Sequence, residues 1–146
     1  MYTLLMERNL FSSFMRLNMF YLAGAFGKEI TRAVIPWDKA QTDCVNTINN
    51  EAVCELVSSN SAPDSVQAFA FTFGVASVIS ELFKDKIQSK YIPVISAGVV
   101  IGSIIVAELI QALMRKSAID MPDITMEILG MIPAWIILAK IYSRHS

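Results

Sequence analysis

The stretch YIPVISAGVVIGSIIVAELIQALM, residues 91–114, contains a single charged side chain, Glu108. About 20 consecutive apolar residues suffice for a helix to cross the hydrocarbon core of a bilayer. Inside a bilayer the backbone must satisfy its own hydrogen bonds, which a helix does within one segment. No other feature limits the chain so tightly. Three more segments repeat the pattern: residues 124–142, residues 65–83 and, less purely, residues 10–27. The expected fold is therefore all-α: an integral membrane bundle of about four transmembrane helices, with a long extracytoplasmic loop, residues 28–64, between the first and second. The 146 residues suit a single membrane domain.

Residues 10–27 also admit a reading as a secretory signal, because Ala23, Gly24 and Ala25 resemble a cleavage site. Arg16 and Asn18 interrupt the apolar stretch that such a signal needs. That favours a retained helix whose Arg16 faces the bundle or snorkels to the surface. Glu81, near the inner end of the second segment, is a candidate partner for Arg16. In the polar loop, Thr42 and Asp43 can cap a local helix, and Val45, Ile48, Ala52, Val53, Leu56 and Val57 recur at roughly helical spacing.

Cys44 and Cys54 lie ten residues apart. On one unbroken helix their Cα atoms would be about 15 Å apart, against a limit of roughly 7 Å for a disulfide. A bridge needs a turn between them, for which Asn49–Asn50 is suited, and an oxidising compartment. The even count fits a bridge and equally fits two free thiols.

Composition excludes several function classes. Charged residues make up 17% of the chain and the net charge is −1, which leaves no basic footprint for nucleic acid. The one histidine, His145, stands next to the C-terminus, which argues against a histidine triad or a zinc site. There is no nucleophile with a partner base, no metal-ligand spacing and no phosphate loop. The sequence therefore names no catalytic residue, no metal ligand and no cofactor, and gives an enzyme no support.

Short loops set the orientation. The loop KDKIQSK carries Lys84, Lys86 and Lys90 against Asp85, and the tail carries Lys140 and Arg144. A cytoplasmic position for both follows from the positive-inside rule, with both termini inside and the cysteine loop outside. The bias is modest, because Lys28, Arg32, Lys39, Arg115 and Lys116 fall on the other side.

The junction ELIQALMRKSAIDMPDITMEILG gathers charge between the two most apolar runs. Ile104, Glu108, Gln111 and Arg115 share one helical face, as do Asp123, Glu127, Gly130 and Ala134. Helices joined by so short a loop are antiparallel neighbours. Glu108 then lies roughly 9 Å and Glu127 about 5 Å below the outer helix ends. A charge at mid-membrane costs about 2.5–3.5 kcal/mol on insertion scales, so both carboxylates are expected to face the bundle, pair with a cation or become protonated. Gly98 and Gly102 form G-x-x-x-G, and Gly130 with Ala134 forms a small-xxx-small pair, so these four are candidates for helix packing. Pro133 should weaken the local backbone ladder. Asp120 and Asp123 have an equally good structural reading, Asp120 as the N-cap of the last helix and Asp123 as a first-turn acid. Trp37 and Trp135 suit interface anchors.

The order E-x-x-Q, a basic residue, D-x-x-D and a glycine seven residues later resembles the VanZ family of small bacterial multi-pass membrane proteins. Glu108, Gln111, Arg115, Asp120, Asp123 and Gly130 stand at the matching positions, over about residues 64–141. The chain departs from the pattern at Glu127, where the family usually has Asn, and at Ala134, where a second Gly often follows. It departs also at Ser65 and Ala68, where Lys and His are common. The resemblance implies the bacterial cytoplasmic (inner) membrane. It also implies an accessory envelope role, such as glycopeptide tolerance, with the polar cluster and Glu127 binding a lipid-linked precursor or small-molecule ligand. Two other classes stay open: a small proton- or cation-coupled transporter, and a structural or regulatory subunit that pairs, for example as a homo-oligomer, through Gly98 and Gly102. Membrane lipids are partners in every case.

Overall fold

The computed structural model describes residues 2–58, 61–83 and 85–144, with side chains from Leu10 onward. Lys84 and His145 lie outside the described residues. The architecture is all-α, with helices α1 (Tyr2–Val34), α2 (Trp37–Ile48), α3 (Glu51–Glu55), α4 (Asp64–Leu82), α5 (Ile92–Arg115) and α6 (Met121–Ser143). A 3₁₀ turn, Ser89–Tyr91, leads into α5.

Three of these stretches are long and apolar enough to cross a membrane: Asp64–Leu82, Ser89–Arg115 and Met121–Ser143. The sequence led us to expect about four. The remaining long helix, α1, is not among the three, because Arg16 and Asn18 dilute its apolar stretch. α1 also runs past the expected limit at residue 27. Nothing from Lys28 to Val34 breaks a helix, the Thr31 hydroxyl donates to the Gly27 carbonyl at 2.7 Å, and Arg32 pairs with Glu29 at 2.9 Å. Pro36, which has no N–H to donate, ends it. Much of the expected loop 28–64 is thus helical, as the tail of α1 and as α2 and α3.

The α2–α3 turn falls at Asn49 and Asn50. Asn49 closes α2 in the left-handed region at φ 52°, and the Asn50 side chain accepts from the Val53 N–H at 3.2 Å. Short polar side chains tolerate the first conformation and make the second contact. The reversal brings the Cα atoms of Cys44 and Cys54 to 5.5 Å, and a disulfide joins them.

α4 is the central helix and packs on α1, α5 and α6. The approach to α1 is close: a Cβ on Gly24 would stand 3.1 Å from the Gln67 backbone. The approach to α6 is closer still, and a Cβ on Gly130 would overlap the Ser65 carbonyl. Gly130 and Ala134 therefore sit at a helix contact, and Ala134 is fully buried. Gly98 and Gly102, read from the sequence as packing residues, meet no neighbour among the described residues; a Cβ at either has none of them within 4 Å. They fall on the side of α5 turned away from α4 and α6, whose buried face is Ser96, Val100, Ile104 and Glu108. α6 continues unbroken through Pro133.

Val75, Ala76, Ile79, Ile92, Val100, Ile104, Met131 and Leu138 form the shared core. Outside it, large apolar side chains stay exposed along α1, α5 and α6, among them Phe11, Phe14, Met19, Phe26, Val94, Val106, Leu113 and Ile136. Exposed apolar side chains in such number along three helices are what a bilayer covers. At the end away from the disulfide, Arg16 meets Glu81 at 3.2 Å and the Ser13 hydroxyl donates to Glu81 at 3.0 Å.

Candidate functional site

At the disulfide end the bundle opens into a cleft of about 710 Å³. The C-terminal parts of α1 and α5 and the N-terminal parts of α4 and α6 meet there. α5 brings Glu108, Gln111 and Arg115; α6 and its cap bring Asp120, Asp123 and Glu127. All six polar residues singled out in the sequence border this one space.

Glu108 reaches it from the buried face of α5 and is 8% exposed. The Gln111 amide, one turn on, donates to its carboxylate over a long 3.4 Å, and the Asp120 backbone amide is aimed at the same group. α5 stops at Lys116, in the left-handed region at φ 52°, so the chain turns back to start α6. Asp120 takes the capping role: its carboxylate accepts from the Asp123 N–H at 3.3 Å, with Pro122 in the first turn. Its place in the cleft is thus accounted for by the helix start.

Asp123 and Glu127 point into the cleft one turn apart. The Ser61 hydroxyl is within hydrogen-bonding reach of Asp123, while the Asp123 Oδ1 is buried and has no hydrogen-bond partner among the described residues. Glu127 has the charges of Asp64, Glu108, Asp123 and Lys28 as neighbours.

Further polar residues border the cleft, Ser103 of α5 among them. Lys28 and Arg32 come from α1, and Asp64 and Gln67 from α4. Lys28 forms an ion pair with Asp64 that ties α1 to α4, with the two side chains 22% and 10% exposed. The signal for them was present: Tyr21, Lys28 and Arg32 fall on one face if the helix continues, and Asp64, Gln67, Ala68 and Phe71 follow the i, i+3, i+4, i+7 pattern. Assigning Lys28 and Arg32 to a loop concealed it. Deeper in, the lining turns apolar with Tyr21, Phe71, Val100 and Ile104.

A second cavity of about 390 Å³ adjoins the first and shares Glu108, Gln111, Arg115, Asp120 and Asp123 with it. Glu55 of α3 borders it, so the disulfide-linked hairpin stands over this entrance. Among the described residues no group of three His, Cys, Asp or Glu side chains is placed to hold a metal ion. The arrangement can hold a ligand by charge and hydrogen bonds at its outer end and by apolar contact below. No protein-family model, curated protein or solved structure matches the chain.

Proposed function

We propose that the chain is a VanZ-like accessory protein of the bacterial cytoplasmic membrane. It crosses four times, with α1 as the remaining span, and binds a lipid-linked or other envelope ligand in the polar cleft. One observation carries this reading: Glu108, Asp123, Glu127 and the Lys28–Asp64 pair, from four helices, converge on a single space of about 710 Å³. Side chains so costly to keep among membrane helices mark a functional pathway or site.

Two independent features support the proposed orientation. A disulfide at the cleft end suits an oxidising, extracytoplasmic face. Lys86, Lys90, Lys140 and Arg144 fall at the opposite end, which suits the cytoplasm. The cleft then opens in the outer leaflet, where lipid-linked envelope precursors are displayed.

The test is a glycopeptide susceptibility assay in a bacterial host expressing the native chain or Glu108→Gln. The expected result is tolerance with the native chain and its loss with the variant at equal membrane levels. Equal susceptibility of the two strains would remove the antibiotic role. A second reading, cation-coupled transport, draws on the carboxylates set along the cleft. It predicts cation-driven uptake into proteoliposomes that Glu127→Gln abolishes.

A further inference from the structure

The charges of the cleft do not balance. Five carboxylates border it (Asp64, Glu108, Asp120, Asp123 and Glu127), against Lys28, Arg32 and Arg115. Lys28 is engaged by Asp64, and Arg32 is in contact with Glu29. Asp120 serves the α6 cap. Glu108, Asp123 and Glu127 form no ion pair among the described residues. Carboxylates out of bulk water need a counter-charge, a set of donors or a proton, and this chain supplies Glu108 with one long amide contact, a backbone N–H and the neighbouring charge of Arg115.

Three details limit what could supply that charge. The carboxylates come from three helices, and no metal-holding group is present among the described residues. A bare metal ion is therefore a poor fit. Asp123 borders the same space, and its buried Oδ1 has no hydrogen-bond partner among the described residues. Below the acids the walls are Tyr21, Phe71, Val100 and Ile104, which suit an apolar body, and the two aromatic rings can also take a cation against their faces. An anionic head would meet uncompensated negative charge.

We infer that the cleft takes an amphiphile whose charged end is a cationic amine. The ammonium lodges between Glu108 and Glu127, and its apolar body lies along Phe71, Val100 and Ile104. This rests on the reading of the cleft as a binding site and names the chemistry of its ligand. Two sources share that chemistry: an amine-headed membrane lipid and a free long-chain amine.

The full chain in maltoside micelles tests the assignment by thermal denaturation with dodecylamine, dodecanol or dodecanoate. Dodecylamine at ~100 times its dissociation constant is expected to raise Tm by about 9 °C. The neutral and anionic twins should leave Tm unchanged, and Glu108→Gln with Glu127→Gln should weaken amine binding by about tenfold or more. Equal stabilisation by dodecanol or dodecanoate would overturn the amine assignment and leave the cleft a binding site. No stabilisation by any of the three would overturn the binding reading itself. A photoreactive dodecylamine on the native chain gives a readout independent of the variants: cross-links beside Phe71 or Ile104 support the assignment, and cross-links confined elsewhere overturn it. Mass spectrometry of lipids retained through purification separates the sources. Enrichment of phosphatidylethanolamine over phosphatidylglycerol indicates the lipid, and dodecylamine binding without that enrichment indicates the free amine.

Discussion

Lys28 and Asp64 form an ion pair whose two members both border the cleft, and both are largely withdrawn from solvent. Removing one member strands the other. Asp64→Asn is expected to cost about 3 kcal/mol, whereas the double change Lys28→Met with Asp64→Leu should cost less than either single loss. A double-mutant cycle on thermal denaturation in micelles measures this. Gly130 gives a second prediction. A methyl there meets backbone, which cannot swing aside, so Gly130→Ala should destabilise by about 1–3 kcal/mol through parting α4 from α6. At this scale the sequence was half legible. Glu108, Gln111, Arg115, Asp123 and Glu127 announced themselves because charge within an apolar run has to face inward. Lys28 and Arg32 did not, because past Gly27 the surroundings turn polar and a helical face cannot be told from a loop by hydropathy.

The elements were more legible than their ends. The apolar runs fixed α4, α5 and α6 to within a few residues, since a membrane span is set by length and hydropathy together. α6 begins earlier than expected, at Met121, because Asp120 caps it and Pro122 fits a first turn that hydropathy does not register. In the α2–α3 hairpin the asparagine pair was readable as a turn, but the bridge was not, because spacing alone does not say whether two thiols meet. That bridge closes a loop of about ten residues and contributes about 2–3 kcal/mol to keeping the hairpin shut. Cys44→Ser should speed hydrogen exchange in α2 and α3 while leaving α4 to α6 protected. The exposed face of α5 behaves differently. Gly98→Ile is expected to change monomer stability by less than about 0.5 kcal/mol, since a Cβ there meets nothing within 4 Å among the described residues. If two copies meet there, cross-linking between copies should fall with the same substitution.

For the molecule as a whole, the apolar belt on α1, α5 and α6 and the charged cleft at one end divide the surface into a part for hydrocarbon and a part for water or ligand. The proposed orientation sets the cleft outside. A reporter active only outside the cytoplasm, inserted at Ile119 in the α5–α6 connection, should be active in intact cells, and an inactive one would invert the topology. The existence of a bundle was legible from hydropathy. Its internal arrangement was not, because which helix becomes the centre depends on small residues meeting across sequence-distant segments, as Gly24 meets Gln67 and Gly130 meets Ser65.

The central position of α4 also has a consequence for the order of events on the ribosome. α1 and α4 emerge first and already hold their mutual contact and their ion pair, so the amino-terminal half can dock as a unit while the rest is still being translated. The acidic wall is delivered last, by α5 and α6. A nascent chain thus has the basic half of its cleft before the half that carries most of its carboxylates.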